Sequence, residues 1–154
     1  MEMHYSRELP VAGTWDVLVC GAGPTGIAAA VTAARQGYGV LLLERYGAVG
    51  GNLTLGNVSP VMGGVAPGTF AEEVDRLLEA PDGATGIDPE RAKIELTQLL
   101  HREGVTFRLQ TPVFDVLKDG GAVIGVVAST QQGPTAFLGR RVIDCTGDGQ
   151  VAAL

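Results

Sequence analysis

The chain has 154 residues, a net charge of −6 and 23 glycines. That length suits one domain able to bury a real core, and an acidic balance with scattered basic residues argues against a nucleic-acid surface. No charged-then-apolar targeting layout opens the chain, and the longest apolar region, from Val17 to Ala34, is broken by Pro24 and several glycine or polar residues; no membrane span is expected, and a cytoplasmic location is the default.

In chain order, Met1 to Thr14 reads as an N-terminal extension of mixed polarity, with His4 solvated, and residues 15–154 as the domain proper. Val17 to Cys20 is a short continuous apolar run, the pattern of a strand buried on both faces. Gly21, Gly23 and Gly26 follow at G-x-G-x-x-G spacing, then an Ala-rich helical run to about Gln36, then a second apolar run, Val40 to Leu43, ending on Glu44. This is a strand–turn–helix–strand unit with an acid about 20 residues past the glycines, the layout that binds a dinucleotide. Gly21 allows the tight turn, Gly23 lets a diphosphate approach the backbone, and Gly26 lets helix pack on strand. The diphosphate sits at the helix N-terminus, where unpaired N–H groups and the helix dipole favour an anion. Glu44 can accept hydrogen bonds from a ribose hydroxyl and would repel a 2′-phosphate, which disfavours NADP.

Asn52 to Gly68 is rich in glycine and proline without a sustained period and reads as a loop. Thr69 with Glu72 forms a capping box opening a short helix, with Phe70, Val74, Leu77 and Leu78 on one face. Ala80 to Ile87 reads as a linker. Asp88-Pro89-Glu90 starts another helix, with Ala92, Leu96, Leu99, Leu100 and Glu103 on one face, His101 beside it and Gly104 as the stop. Val105 to Leu109 is a short strand. Val113 to Lys118, Ala122 to Thr130 and Thr135 to Leu138 follow as a three-stranded antiparallel meander, joined by hairpin turns at 119–121 and 131–134. Arg140 to Cys145 returns as a buried strand, and Thr146-Gly147-Asp148-Gly149 leads into an Ala-rich helical pattern from Gln150. Cys20 and Cys145 form no C-x-x-C and read as core residues rather than a redox pair.

Two patterns go beyond a generic dinucleotide site. Glu44-Arg45 is followed after four residues by Gly50-Gly51, and the last strand runs into I-D-x-T-G-D-x-x-V-A, Ile143 to Ala152. With these, the chain from about Arg7 to Leu154 resembles the N-terminal part of FAD-dependent oxidoreductases of the glutathione-reductase-like superfamily. The resemblance implies an α/β fold, a Rossmann-like parallel sheet with its βαβ unit and the meander as a crossover, incomplete at the C-terminus. It implies FAD as cofactor, held by Gly21, Gly23, Pro24 and Gly26 at the diphosphate and Glu44 at the ribose. Arg45, Gly50 and Gly51 would run along the cofactor, Asn52 to Thr54 near the isoalloxazine, and the Val113 backbone at the adenine. Thr146, Gly147 and Asp148 would open onto the cofactor.

In that family a later Gly-Asp motif and the substrate domain follow. The chain therefore reads as an N-terminal fragment, a truncated reading frame or half of a split enzyme completed by a second polypeptide. A small-molecule substrate is implied without its identity, an oligomer is compatible, and no catalytic residue or metal-ligand cluster is recognisable. Two other readings stay open. An NAD-dependent dehydrogenase would continue with further βα units, and a non-catalytic nucleotide-binding or assembly module would expose apolar surface and associate.

Overall fold

The computed structural model describes residues 3–4, 6–58, 63–79 and 86–154. Most of the 80–87 linker and part of the 52–68 loop thus lie outside the described residues. One six-stranded sheet organises the rest, in the order β3-β2-β1-β6-β5-β4. Its strands are β1 (Val11–Cys20), β2 (Val40–Leu43), β3 (Thr106–Arg108), β4 (Val113–Asp119), β5 (Ala122–Thr130) and β6 (Gly133–Asp144). The β3-β2-β1-β6 part is parallel, whereas β5 runs antiparallel to β6 and β4 antiparallel to β5. The helices are α1 (Pro24–Arg35), α2 (Phe70–Leu78) and α3 (Pro89–Arg102).

The two central apolar runs are strands because both of their faces are covered. Val17, Val19, Val40 and Leu42 join Ile27 and Val31 of α1 and Leu96, Leu99 and Leu100 of α3 in one core. Their neighbours Leu18, Cys20, Leu41 and Leu43 point the other way, into a second core with Val126, Ala128 and Phe137 from β5 and β6. Alternate residues therefore serve opposite layers, which is why the runs carry no polar position. The sheet curls so that its antiparallel end covers the second face. The Arg108 guanidinium on β3 lies 5.7 Å from the centre of the Phe137 ring on β6.

Local signals at the helix ends hold. Thr69 accepts from the Glu72 amide at 3.3 Å, and the Glu72 carboxylate reaches back to the Gly68 amide at 2.7 Å. Asp88 accepts from the Glu90 and Arg91 amides at 2.9 and 3.3 Å. Gly120 and Gly121, with φ of 53° and 86°, make the expected tight hairpin between β4 and β5.

Five features differ from the sequence expectation. β1 begins at Val11, so the end of the supposed extension is strand, paired with β6 from Ala136 onward. The third meander strand and the returning buried strand are one strand, β6, continuous through Gly139. The meander is therefore part of the same mixed sheet, and it still serves as the expected crossover, joining parallel β3 to parallel β6. Within the Gly-rich loop, Gly51–Leu53 forms a 3₁₀ turn. Glu103 caps α3 instead of lying on its apolar face, and 150–153 form turns with one i to i+4 hydrogen bond, Ala153 N–H to Gly149 O at 3.1 Å.

The three helices are tied at one point. The Arg35 guanidinium on α1 forks to Glu73 on α2 at 2.7 and 2.6 Å and to Glu103 after α3 at 3.0 and 2.7 Å. These side chains are 40%, 42% and 23% exposed, so solvent screens them, and Arg35→Ala should cost no more than about 1 kcal/mol. The hydrogen bonds from Arg35 outweigh burial and hold both carboxyls below their ordinary value of 4.5. Just below that pH the unfolded chain takes up protons that the folded chain does not. The contribution is complete above the unfolded value and disappears as pH falls through the folded one. In urea denaturation the stability gap between wild type and R35A should shrink as pH is lowered from about 6 to about 3; a gap independent of pH would contradict this account.

Candidate functional site

β2, β1 and β6 end side by side, and the loops that leave them surround a cleft of about 1220 Å³. Ligands of open α/β sheets bind outside the carboxyl ends of the parallel strands, and the cleft occupies that position. The turn after β1 forms its floor. Gly21 holds φ of 98°, and its N–H donates to Leu43 O at 2.7 Å. A Cβ there would come within 2.6 Å of the Cys145 carbonyl oxygen. At Gly26 a Cβ would run into the Gly21 carbonyl and sit 3.3 Å from Cys145 Cβ. These two glycines are needed by the protein itself. Gly23 is different: it has φ of −71°, and a Cβ there would meet no protein atom within 4 Å.

Helix α1 starts at Pro24 with no side chain capping its first turn. Its N-terminal amides lie beside the cleft, a donor set that suits an anion such as a diphosphate.

Glu44 is 6% exposed, and both of its carboxylate oxygens are engaged by backbone. Oε2 accepts from the Ala22 amide at 2.6 Å and Oε1 from the Tyr46 amide at 2.8 Å. Each oxygen keeps a free lone pair, so the carboxylate braces the glycine turn and can still accept from a ligand hydroxyl. On the other side of β1, Asp144 does the equivalent for the loop after β6. Its Oδ1 accepts from the Thr146 amide at 2.9 Å and hydroxyl at 2.6 Å, and Oδ2 from the Ala152 amide at 2.8 Å. Burial raises the Asp144 pKa, but the bonds from Thr146, Ala152 and Val151 outweigh it, and the carboxyl lies below its ordinary range.

Eleven of the fourteen residues singled out from the sequence line the cleft: Gly21, Gly23, Pro24, Glu44, Arg45, Gly51, Asn52, Val113, Thr146, Gly147 and Asp148. Three do not. Gly26 packs beneath Gly21. Gly50, with φ of 104°, donates to Ala22 O at 2.7 Å, and its missing Cβ leaves room for Thr54. Thr54 is 1% exposed and donates its hydroxyl to Val49 O at 2.6 Å, so it closes the 3₁₀ turn and does not face the cleft. The sequence reading missed Tyr46, Thr25, Thr111 and Pro112 in the lining. It also missed Asp144, although an acid two residues before Thr-Gly is the local pattern of a side chain that caps its own loop.

The two cysteines face opposite ways. Cys20 belongs to the core on the meander side and Cys145 packs against the helix-side core. Burial, with the Asp144 charge adding to it, pushes the Cys20 thiol up to about 12 and raises that of Cys145. Both are thiols at neutral pH and serve packing.

An α/β fold, glycines shaped around a ligand-sized cleft and an uncapped helix start define a dinucleotide-binding domain. Residues 16–154 match the FAD dependent oxidoreductase family, and the chain belongs to it. Its cofactor is FAD.

Among its relatives is the digeranylgeranylglycerophospholipid reductase of Methanospirillum hungatei, 30% identical over 88% of this chain and 38% of that protein. The tRNA uridine 5-carboxymethylaminomethyl modification enzyme MnmG of Alkaliphilus oremlandii is 28% identical over 88% of this chain and 24% of that protein. The chain thus spans well under half the length of these curated relatives. Among solved structures, Thermovibrio ammonificans THI4 superposes with a TM-score of 0.69 at 23% identity, covering 91% of this chain and 60% of that one. No helix among the described residues is long and apolar enough to cross a membrane.

Because an amide NH₂ cannot accept a hydrogen bond, Glu44→Gln should leave either the Ala22 or the Tyr46 N–H facing a donor. The expected loss of stability is about 1–3 kcal/mol, read by urea denaturation. A variant as stable as wild type would show that the brace carries no weight.

Proposed function

We propose that this chain holds the ADP half of FAD along the cleft. The diphosphate lies over Gly21, Gly23 and the α1 N-terminus beginning at Pro24, and the adenosine ribose hydrogen-bonds to Glu44. The Val113 backbone borders the adenine, while Arg45, Gly51, Asn52 and Thr146 to Asp148 border the rest of the cofactor. Gly26 and Gly50 support the turn from behind without touching the ligand. Bound FAD supplies the hydride chemistry of its own ring system; the protein supplies binding, orientation and electrostatics. This chain's residues do the binding. The substrate-facing residues belong to polypeptide that the longer relatives possess, in the same chain or in a second one.

The observation that carries this reading is Gly23. Its neighbours Gly21 and Gly26 are glycines because protein atoms crowd them, yet Gly23 has open cleft where its Cβ would be and a φ that any residue tolerates. A ligand explains the missing side chain. The relatives named above act on a tRNA uridine and on a phospholipid, so shared ancestry does not select a substrate. The acidic net charge of −6 favours a partner other than nucleic acid for this part of the enzyme.

A second reading has one observation in its favour. An apolar groove of about 550 Å³, bordered by Ile27, Leu53, Phe70, Val74 and Leu96, meets the cleft at Pro24 and Thr25. Exposed apolar surface of this kind fits an assembly module whose isolated form associates.

Gly23→Val separates binding from folding. Its thermal melt should fall only by the modest cost of a β-branched residue at the helix N-cap, while its FAD dissociation constant by calorimetry rises at least about 10-fold. Gly21→Val should instead melt well below wild type. Wild-type FAD affinity in a folded G23V variant would refute the placement of the diphosphate.

A further inference from the structure

We infer that Tyr46 is the stacking platform for the adenine base and so makes the site select FAD over flavins that lack adenosine. This rests on the reading that the cleft holds the ADP half of the cofactor.

Among the described residues Tyr46 is the only aromatic in the cleft lining. The residue is 53% exposed, yet its backbone is fixed at both ends. The amide donates to Glu44 Oε1 at 2.8 Å, and the carbonyl accepts from the Gln110 amide at 2.9 Å. Gln110 itself holds a left-handed φ of 51°, so the local chain is bent to make that bond. The Arg45 guanidinium lies 5.2 Å from the ring centre and restrains the ring from one side. A large ring held in this way, lining the cleft and still about half exposed, offers surface on which a ligand can pack.

The order of groups along the cofactor puts the base there. Diphosphate, ribose and base follow one another, so with the diphosphate at Gly23 and the ribose at Glu44 the base lies beyond Glu44. On that side the cleft is bordered by Tyr46 and Gly47 and by Thr111, Pro112 and Val113. The two borders are joined by the Thr111 amide donating to Glu44 O at 2.8 Å and by the Gln110 bond to Tyr46. A planar base between an aromatic ring and a proline-containing strand start buries both of its faces without requiring a charged partner. Stacking needs the ring and not its hydroxyl. Arg45 acts through Tyr46, as a positioning residue.

The test is calorimetric titration of wild type, Tyr46→Ala and Tyr46→Phe with FAD, FMN and ADP, with a thermal melt of each protein. Tyr46→Ala should weaken FAD and ADP by roughly 10-fold, the scale of one lost base–aromatic stack, and leave FMN unchanged. Tyr46→Phe should bind all three as wild type does. Unchanged FAD affinity in a folded Y46A, or an equal loss for FAD and FMN, overturns the stacking role while leaving the cleft assignment standing. A wild-type chain that binds neither FAD nor ADP overturns both.

Discussion

The Glu44 carboxylate is the interaction on which the site depends. It stands at the end of β2, the last buried position before the chain turns into solvent, and it bonds the amides of Ala22 and Tyr46. One side chain thereby fixes the turn after β1 relative to the turn after β2. A buried carboxylate is tolerated only when its oxygens are satisfied, and here two backbone N–H groups supply that. Asp144 mirrors it at the end of β6, bonding Thr146 and Ala152. With β1 between them, two acids hold three loops around one cleft while leaving acceptor capacity for a ligand.

Packing explains why those strand ends can be aligned so closely. The ends of β1 and β2 are buried on both faces, by α1 and α3 on one side and by the antiparallel end of the sheet on the other. Cys145 O lies against Gly21 at a distance no side chain would permit, and the Cys145 amide donates to Cys20 O at 2.8 Å. The glycines of the turn are thus divided between two requirements. Gly21 and Gly26 serve the approach of β1, α1 and β6, and Gly23 serves the space above them.

What was legible in the sequence was local or strongly periodic. The G-x-G-x-x-G turn, the caps at Thr69 and Asp88 and the Gly120-Gly121 hairpin depend on residues a few positions apart, and each is found where read. Gly139 was not legible. It looks like a break between two strands, but it lies inside β6 because a Cβ would come within 2.5 Å of Leu18 Cγ on the neighbouring strand. Pro134 also looked like a turn residue. It lies in β6 before the pairing with β1 begins, where the missing N–H costs no ladder bond on that side. Val11 to Thr14 read as the end of a peripheral extension of mixed polarity, yet β6 extends far enough to pair with it. Thr54 reads as a cofactor contact from its place after the glycine pair, but its hydroxyl is taken by Val49. Each of these depends on a partner distant in sequence, which no local pattern encodes.

The most direct measurement is the visible absorption spectrum of the purified, desalted chain, with any released cofactor identified by chromatography. A flavin spectrum, with FAD released in near one-to-one ratio to protein either as isolated or after incubation with excess FAD, is the predicted result. A folded chain that stays colourless after that incubation would contradict the claim that this cleft is a working FAD site.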